Sequence, residues 1–436
     1  REVPVSEWLL VLWLATLVSD RFDLLAGKGG FLITPFLILT PVVIMLELFR
    51  LVGQGGKFRV PRNLPAYLLV ASCFLIVVLV SVFYSFDIAT ATKRYALLVF
   101  QVYTTAVVLL FIAQRPDPRG ILVRGAYGAL GLSIVCNVIQ FQSWLVRGDE
   151  QLLLLGGMID MSSHVYGPWL PRLSGPAGDM NRGGILALIH IYILLHLAPR
   201  TRMRRVVVTL ASLGIVMSLS RSVLIGVLGT AGAGVLRRGR IRVTRRRVVT
   251  AALVVGAIAA VLLASPRTAA AVGSALEPIT GRFSTREGSS EVHFGVMDRA
   301  VDLVTRSPKN ALIGVGYGNA FAFLQDFFGD NKYGNFHSLY LTLAAECGGI
   351  AFFLGVLLIF YGAFRGGVYQ SLLVGLAAFN VFYQMGTEPI FWVALVLGWT
   401  RLGDPTLARG QPPAPRPHPV PARAPRIHSP PLITPG

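Results

Sequence analysis

Long apolar stretches, separated by short polar loops, recur along most of the chain. Several exceed the roughly 18 apolar residues that a bilayer-spanning helix needs. We predict about twelve hydrophobic segments, near residues 6–19, 31–49, 64–85, 95–113, 121–141, 183–198, 204–219, 222–236, 248–265, 338–361, 367–384 and 388–401. The pattern therefore predicts an all-α polytopic membrane protein with about twelve transmembrane helices. The stretch 8–19 is too short and too poorly flanked by small residues to resemble a cleaved signal.

Composition supports the same class. Hydrophobic residues make up 54% of the chain and charged residues 14%, whereas soluble domains carry about 25% charged residues. The net charge of +19 does not indicate nucleic-acid binding, because the arginines lie in short loops between apolar runs rather than on one soluble face. The cysteines Cys73, Cys136 and Cys347 lie inside apolar runs, so we expect neither a disulfide nor a metal site outside the membrane.

The loops alternate in charge. One set is basic: residues 50–62, 115–124, 200–205 and 237–247, and Arg365. The other set mixes signs: residues 20–28 and 87–94. The positive-inside rule places the basic set and both termini in the cytoplasm.

This topology divides the chain into four parts. Residues 1–265 form membrane helices one to nine, and 266–337 form a large outer loop that we expect to fold as a small helical periplasmic subdomain. Residues 338–402 form the last three membrane helices. The Pro-rich, basic tail 403–436 is predicted to be a disordered cytoplasmic extension. A further long segment, 142–182, also faces outward.

The stretch "GNFHSLYLTLAAECGGI" (334–350) places His337 at the outer start of the tenth segment. In the first turn of a helix the positive dipole end disfavours a protonated imidazole, and a neutral ring can act as a general base. The alternative is an interfacial histidine that bonds a loop carbonyl. Tyr340 shares its helix face, whereas Glu346 lies roughly 13 Å farther along on the opposite face and is expected to bond another helix.

Arg221, in "SLSRSVLIG" (218–226), interrupts an apolar stretch at an outward-facing turn. A charge there is costly without a partner or a function, and an arginine suits an anionic ligand. One alternative is an ordinary surface arginine. Another is a single kinked segment over 204–236, which would invert the later topology.

The stretch "EVHFGVMDRAVDLVTRSP" (291–308) predicts an amphipathic helix in the outer loop that ends at Pro308. Its apolar face holds Val292, Val296, Ala300, Leu303 and Val304. Arg299 lies among these positions, either for a function or as an ion pair with Asp302. The glycines of "GVGYGNAF" (314–321) indicate a tightly packed turn and not a phosphate loop.

A weaker cluster precedes the sixth segment, in "PRLSGPAGDMNRGG" (171–184). Arg172, Asp179, Asn181 and Arg182 gather there. Asn181 alternatively caps the helix, and Arg182 alternatively binds lipid headgroups.

These segments place Arg172, Arg221, Arg299 and His337 on one side of the membrane. Arginines pair bidentately with phosphate oxygens, and a histidine among them offers a base. The combination predicts a reaction on a membrane-anchored phosphate ester. No outer carboxylates have metal-ligand spacing, so we expect neither a metal nor another cofactor.

The order of these motifs resembles the O-antigen ligase and polymerase superfamily of bacterial envelope proteins. The similarity runs over about 171–361 through "RLSGPAGDMN", "SLSRSVLIG", "DRAVDLVTRSPKNALIGVGYGNAF" and "FHSLYLTLAAECGGIAFFLGVLL". Two positions depart from the family: Val301–Val304 lack its tryptophan, and Ser338 stands where asparagine is common.

The resemblance implies a GT-C-like fold in the bacterial inner membrane, with its active site in the periplasm. It implies metal-independent, inverting transfer of a glycan from undecaprenyl diphosphate to a sugar of lipid A-core, or, for a polymerase, to another lipid-linked chain. His337 then matches the base that activates the acceptor. Arg221 and Arg299 match the arginines that hold the diphosphate, with Arg172 as a further binding candidate and Tyr340, Asn181 and Asp179 as secondary ones.

Two other functions stay open. Asp20 or Asp23 in "SDRFDLL" could supply the catalytic carboxylate that many lipid-linked GT-C transferases carry in their first outer loop, although Arg21 and Lys28 can pair with them. A transporter or flippase would need charges at mid-bilayer, and Glu47, Glu346 and Glu388 are the candidates.

Overall fold

A computed structural model describes the protein over residues 4–19, 22–25, 33–53, 55, 59–147, 152–161, 164–166, 170–238, 288–328 and 334–408. The predicted ninth segment, 248–265, lies outside these residues, as do 266–287 of the predicted outer loop and the tail from 409 onward.

Helices account for most of the described residues. The membrane-domain helices of the first half are α1 (Val5–Thr16), α2 (Pro35–Gly53), α3 (Leu64–Val82), α4 (Ile88–Ala113), α5 (Pro118–Arg147), α6 (Met180–Leu197), α7 (Arg202–Met217) and α8 (Arg221–Arg238). Then come α9 (Gly288–Thr305), α10 (Pro308–Ile313), α11 (Ala320–Phe323), α12 (Gln325–Phe328), α13 (Leu339–Thr342), α14 (Gly348–Arg365), α15 (Gln370–Phe379), α16 (Pro389–Thr400) and α17 (Pro405–Ala408). Every predicted segment within the described residues thus coincides with helix.

Two small antiparallel hairpins lie between α5 and α6. Strand β1 (Leu153–Leu154) pairs with β2 (Ile159–Asp160), and β3 (His164–Tyr166) pairs with β4 (Leu170–Arg172). The long segment before α6 therefore contains short strands that the hydrophobic pattern did not predict, because strands of two or three residues are too short to show an alternation.

Six helical stretches of the described residues are long and apolar enough to cross a membrane: Pro35–Gly53, Leu64–Val82, Ile88–Ala113, Pro118–Val146, Met180–Leu197 and Leu339–Arg365. Shorter apolar helices cover Val5–Thr16, Gly367–Phe379 and Pro389–Thr400. Many large apolar side chains are exposed on these helices, such as Phe49, Leu69 and Phe353. A water-soluble domain rarely exposes so much apolar surface, so the protein is a multi-pass membrane protein.

The loops that carry mixed charge meet at one end of the helices. The N–H of Asp23 donates to the carbonyl of Met158 at 2.8 Å. The hydroxyl of Ser85 donates to Oδ1 of Asn319, also at 2.8 Å. The mixed-charge loop 20–28 therefore contacts the first outer hairpin, and the chain just before the loop 87–94 contacts the large outer loop. We call this end the mixed-charge face.

The basic loops meet at the opposite end, which we call the basic face. There the N–H of Arg59 donates to Oε1 of Gln114 at 2.7 Å, and Nδ2 of Asn63 donates to the carbonyl of Trp399 at 3.0 Å. The contacts thus separate the loops into the same two sets that their charges predicted.

Helices α7 and α8 are separate, so the single kinked segment over 204–236 is wrong. The start of α7 lies at the basic face, where Nη1 of Arg204 donates to the carbonyl of Ala198 at 3.0 Å. Its end lies at the mixed-charge face, where the N–H of Leu173 donates to the carbonyl of Met217 at 3.2 Å. The positive φ of 49° at Leu219 turns the chain sharply between the two helices.

Two adjacent helices approach each other through small residues. A Cβ added at Gly229 of α8 would lie 3.2 Å from Cα of Gly375 in α15. A Cβ at Gly375 would collide with the hydroxyl of Thr230. Small residues let membrane helices pack backbone against backbone, so α8 and α15 form a tight pair that joins the two faces.

The outer helix α9 matches the predicted amphipathic pattern. Val296, Ala300 and Leu303 are buried in a small core of their own, together with Leu324 and Phe336. Val292 is instead 37% exposed. It lies one turn before the buried positions, where the packing of the helix begins.

The predicted tenth segment is not a continuous α-helix. Its residues Leu343–Cys347 form a π-helical turn, and Gly348 then breaks the helix with φ of 82° and ψ of 176°. A Cβ at Gly348 would collide with the carbonyl oxygen of Leu312 at the end of α10. The break therefore lies where the outer helix α10 contacts the membrane helix. The hydrophobic pattern alone cannot reveal this contact.

We predict that Gly348→Ala lowers the free energy of unfolding by about 2–4 kcal/mol, because only glycine adopts this backbone conformation without strain. Thermal unfolding in detergent measures the change. Gly131→Ala is the matched control, since a Cβ there meets no neighbouring atom within 4 Å, and it should leave stability unchanged or raise it by up to about 1 kcal/mol. Equal stability of the two variants would contradict the close contact at Gly348.

Candidate functional site

His337 does not lie in the first turn of a helix, as the sequence predicted. Ser338 is the N-cap of α13, and its hydroxyl accepts from the N–H of Leu341 at 3.4 Å. His337 precedes the cap with φ of 50°. Its own N–H donates to Oδ1 of Asn335 at 2.8 Å. The His337 side chain therefore extends from a tight turn at the mixed-charge face, just before the helix begins.

A second histidine contacts the His337 ring. The ring of His293, from α9, lies 4.0 Å from it between centroids, with a tilt of 50°. Burial lowers the pKa of His337 to about 4, and the proximity of His293 adds to the decrease, while Asp179 opposes it. The lowered pKa agrees with the predicted neutral imidazole, but its causes are burial and the nearby His293, whereas the helix dipole was the expected cause.

The N-terminus of α6 supplies Asp179 to this site. Asp179 is the N-cap, and its carboxylate accepts from the N–H of Arg182 at 3.0 Å. It also accepts a hydrogen bond from the hydroxyl of Tyr383, whose pKa is well above its usual value, first because of burial and then because of Asp179. The cap that the sequence assigned alternatively to Asn181 therefore belongs to Asp179.

Arg182 connects the N-terminus of α6 to the loop before α16 through an ion pair. Its Nη2 lies 2.5 Å from Oε1 of Glu388, which is 2% exposed. Glu388 thus lies in an ion pair at the end of the helices, which weakens its interpretation as a mid-bilayer transport charge. The lipid-headgroup alternative for Arg182 is equally weakened by this pair.

Asn181 joins α6 to the turn between α7 and α8. Its Oδ1 accepts from the hydroxyl of Ser220 at 2.6 Å. From the other side of the turn, Nε of Arg172 in β4 donates to the carbonyl of Ser218 at 3.0 Å. Arg221 is the first residue of α8 and follows this braced turn directly. Arg172, Asn181 and Arg221 therefore come together around one turn.

The described contacts of Arg299 are with the outer helices and not with that turn. Its Nη2 lies 3.2 Å from Oδ2 of Asp326, and its Nη1 lies 3.9 Å from Oδ2 of Asp302. The Asp302 contact is the ion pair that the sequence allowed. These are half-exposed pairs within the outer helices, and pairs of this kind contribute little, about 0–1 kcal/mol.

Two other expectations are corrected. The hydroxyl of Tyr340 donates to the carbonyl of Ala377 at 3.0 Å, so its polar end is directed to α15 while His293 contacts the His337 ring. Glu346 does not bond another membrane helix. It accepts from the N–H groups of Gly318 at 3.0 Å and Ala320 at 2.8 Å, because the π-turn and the break at Gly348 direct it toward the outer glycine turn.

A narrow, largely apolar pocket with a volume of about 30 Å³ lies behind the His337 turn. Leu339, Thr342 and Leu343 form its wall nearest to His337, and Gln384 and Thr387 add polar groups. The rest of the lining comes from Phe74, Leu98, Tyr317, Glu346, Cys347, Gly355, Leu358, Ile359, Gly386, Phe391, Trp392 and Leu395. The pocket places apolar surface directly beside the polar site.

The sequence interpretation missed His293 and Tyr383. His293 had a detectable signal: it precedes Val296 and Ala300 by three and seven residues, so it shares their buried helix face. Tyr383 had none, because the predicted segment 367–384 placed it inside a helix. The helix ends at Phe379 instead, and Oδ1 of Asn380 accepts from the N–H of Met385 in the loop that follows.

The fold and the site define a multi-pass membrane protein with a histidine, arginines and carboxylates at one end of its helices. Residues 206–356 match the family model described as O-antigen ligase. This segment, which includes Arg221, His293, Arg299 and His337, belongs to the O-antigen ligase superfamily, as its motifs predicted. This match, together with the apolar helices, supports an O-antigen ligase/polymerase-type membrane enzyme. No curated protein matches the chain.

We predict that Arg182→Gln lowers the free energy of unfolding by about 3 kcal/mol, because it leaves the buried Glu388 carboxylate without its charged partner. The double variant Arg182→Gln/Glu388→Gln should recover part of that loss. Chemical denaturation in mixed micelles measures both. Arg306→Gln removes an exposed pair with Asp302 and serves as control, with an expected loss below about 1 kcal/mol. The single variant Glu388→Gln completes the set, and a double variant whose loss equals the sum of the losses of Arg182→Gln and Glu388→Gln would refute the coupling.

Proposed function

We propose that the protein transfers a glycan en bloc from undecaprenyl diphosphate to a sugar hydroxyl of lipid A-core, with inversion and without a metal. The observation that carries the proposal is the convergence at the N-terminus of α6. There Asp179 acts electrostatically on His337, and Asn181 holds the turn that leads to Arg221. A neutral base and arginines thus share one end of an apolar helix bundle.

His337 is the proposed catalytic base. Its neutral ring accepts the proton of the acceptor hydroxyl as the oxygen forms a bond to the anomeric carbon. The bond between that carbon and the diphosphate oxygen breaks on the opposite side of the sugar, and its electron pair leaves with the diphosphate. Attack opposite to the leaving group inverts the anomeric configuration.

Arg221 and Arg172 are the proposed diphosphate ligands. Arg172 is held at the Ser218–Ser220 turn by its bond to the Ser218 carbonyl, and Arg221 begins α8 directly after that turn. A guanidinium that is already held in place binds phosphate oxygens with less ordering cost than a mobile one. Arg299 would join them by exchanging its weak surface pairs with Asp302 and Asp326 for the diphosphate. Tyr340 acts, in this proposal, only through its packing on α15. The apolar pocket beside the site suits the first isoprene units of the donor.

We infer a GT-C-like architecture in the bacterial inner membrane with the mixed-charge face in the periplasm. The separation of basic and mixed-charge loops supports this orientation. The outer subdomain would comprise residues 266–337 and carry His293, Arg299 and the turn that ends in His337. Partners would be the lipid-linked donor, the acceptor glycolipid and the bilayer.

We expect His337→Asn to reduce glycan transfer at least about 100-fold, since positioned general bases contribute about 10²–10⁴ in rate. Asparagine is chosen because it tolerates the positive φ of this residue. Arg221→Gln and Arg172→Gln should each raise the KM for the donor. The assay follows transfer from lipid-linked glycan to lipid A-core by purified protein with a chelator present.

Arg204→Gln, at the basic face, is the control and should retain full activity. Transfer that survives in His337→Asn and Arg221→Gln would refute the assignment of the site. Replacing lipid A-core by a second lipid-linked glycan tests the polymerase alternative with the same preparation. Movement of labelled lipid across liposomes without any transfer would instead identify a flippase.

The pH dependence of transfer should reflect the lowered pKa of His337. A base works when it is neutral, so kcat/KM should stay high as pH falls through 6.5 and should drop only as pH approaches about 4. Initial rates in detergent from pH 4 to 8 measure this limb, after controls for stability at each pH. A midpoint near 6.5, the ordinary value for histidine, would contradict the buried, neutral base.

A further inference from the structure

We propose that His293 is a positioning residue that orients the His337 ring and restricts the two-histidine pair to at most one positive charge. This inference deepens the proposed transfer reaction and rests on it for its catalytic meaning. The geometry itself is independent of that reaction, since it consists of the ring contact between α9 and the His337 turn.

The placement of His293 follows from how α9 docks. Val296, Ala300 and Leu303 are buried against Phe336, the residue directly before His337. His293 precedes Val296 by three residues and Ala300 by seven, so it lies on the same face of the helix. The packing that fixes α9 therefore also fixes His293 against the ring of His337.

His337 needs such an external contact. Its backbone turns through φ of 50° before the helix begins, so no preceding helical turn restricts its side chain as it would within a helix. His293 from α9 contacts its ring, and Asp179 from the cap of α6 acts on it electrostatically. The ring is thus subject to both a histidine and a carboxylate.

His293 and Asp179 have opposite effects on the protonation of His337. A second proton on the pair would place two positive rings at 4.0 Å between centroids, and like charges at that distance disfavour each other. Asp179 favours the single imidazolium that forms when His337 takes the proton of the acceptor. The arrangement keeps the His337 ring neutral at rest, so its unprotonated nitrogen can accept a proton during transfer.

The pair also connects two parts of the chain. His293 reaches His337 only while α9 is docked, and α9 is held by the buried core with Leu303 and Phe336. The base is therefore fully oriented only in the docked arrangement. A protein whose α9 has moved away retains His337 but loses its ring contact.

The direct test is modification of His337 by diethyl pyrocarbonate, which reacts with neutral imidazole. The full-length protein in nanodiscs is treated from pH 3.5 to 8, and mass spectrometry quantifies adduct at each histidine. In the unaltered protein His337 should still react at pH 5. In His293→Ala and His293→Phe the midpoint should move upward, toward the ordinary histidine value of about 6.5.

The two variants separate the two roles. Phenylalanine keeps a ring against His337 and removes the like charge, so it should shift the midpoint and retain most of kcat. Alanine removes both, so it should shift the midpoint and lower kcat about tenfold with an unchanged donor KM, because a disordered base loses part of the 10²–10⁴ that it contributes. His196→Asn is the control, since His196 also stacks on an aromatic ring, that of Tyr192, but within α6.

A midpoint of His337 that is the same in all variants would overturn the proposal. So would a kcat for His293→Ala equal to that of the unaltered protein. A shifted midpoint in a protein that transfers no glycan would refute the proposed function and leave the histidine pair standing. The chemical readout therefore distinguishes the two failures.

Discussion

The carboxylate of Glu346 accepts two backbone N–H groups, from Gly318 and Ala320, and so joins the outer helices to the membrane helices. The carboxylate is buried at 3% exposure, and a buried carboxylate without donors would be costly. Because the buried carboxylate needs hydrogen-bond donors, the glycine turn that provides them must lie close to the π-helical segment. Since α9 and the His337 turn pack around the same region, the contact between the two histidines depends on this junction.

A second junction lies at the N-terminus of α6. One helix end bonds to the α7–α8 turn through Asn181, to the loop before α16 through Arg182, and to Tyr383 through Asp179. These neighbours come from two parts of the chain that are far apart in sequence: the α7–α8 turn, and the loop between α15 and α16 that holds both Tyr383 and Glu388. The site is therefore an assembly of helix ends, and the apolar helices below serve to bring those ends together.

Much of this architecture could be predicted from the sequence. Apolar runs located the helices, and loop charges divided the loops into the two faces, because both signals are local and strong. The orientation of individual side chains could not be predicted in the same way. Glu346 was assigned to another helix because ideal helical geometry was assumed, and the break at Gly348 arises from a long-range contact with Leu312. His293 was missed because its role depends on docking, and the hairpins before α6 were too short to produce a pattern.

The close packing of α8 against α15 has a mechanical consequence. Gly229 and Gly375 bring the two backbones together, so these helices cannot slide past one another without a collision. Arg221 starts one of them, and the loop with Tyr383 follows the other. The close packing therefore couples the position of Arg221 to that of the Tyr383 loop. A movement that opens the proposed site would then fall to the smaller outer helices, which carry His293 and Arg299.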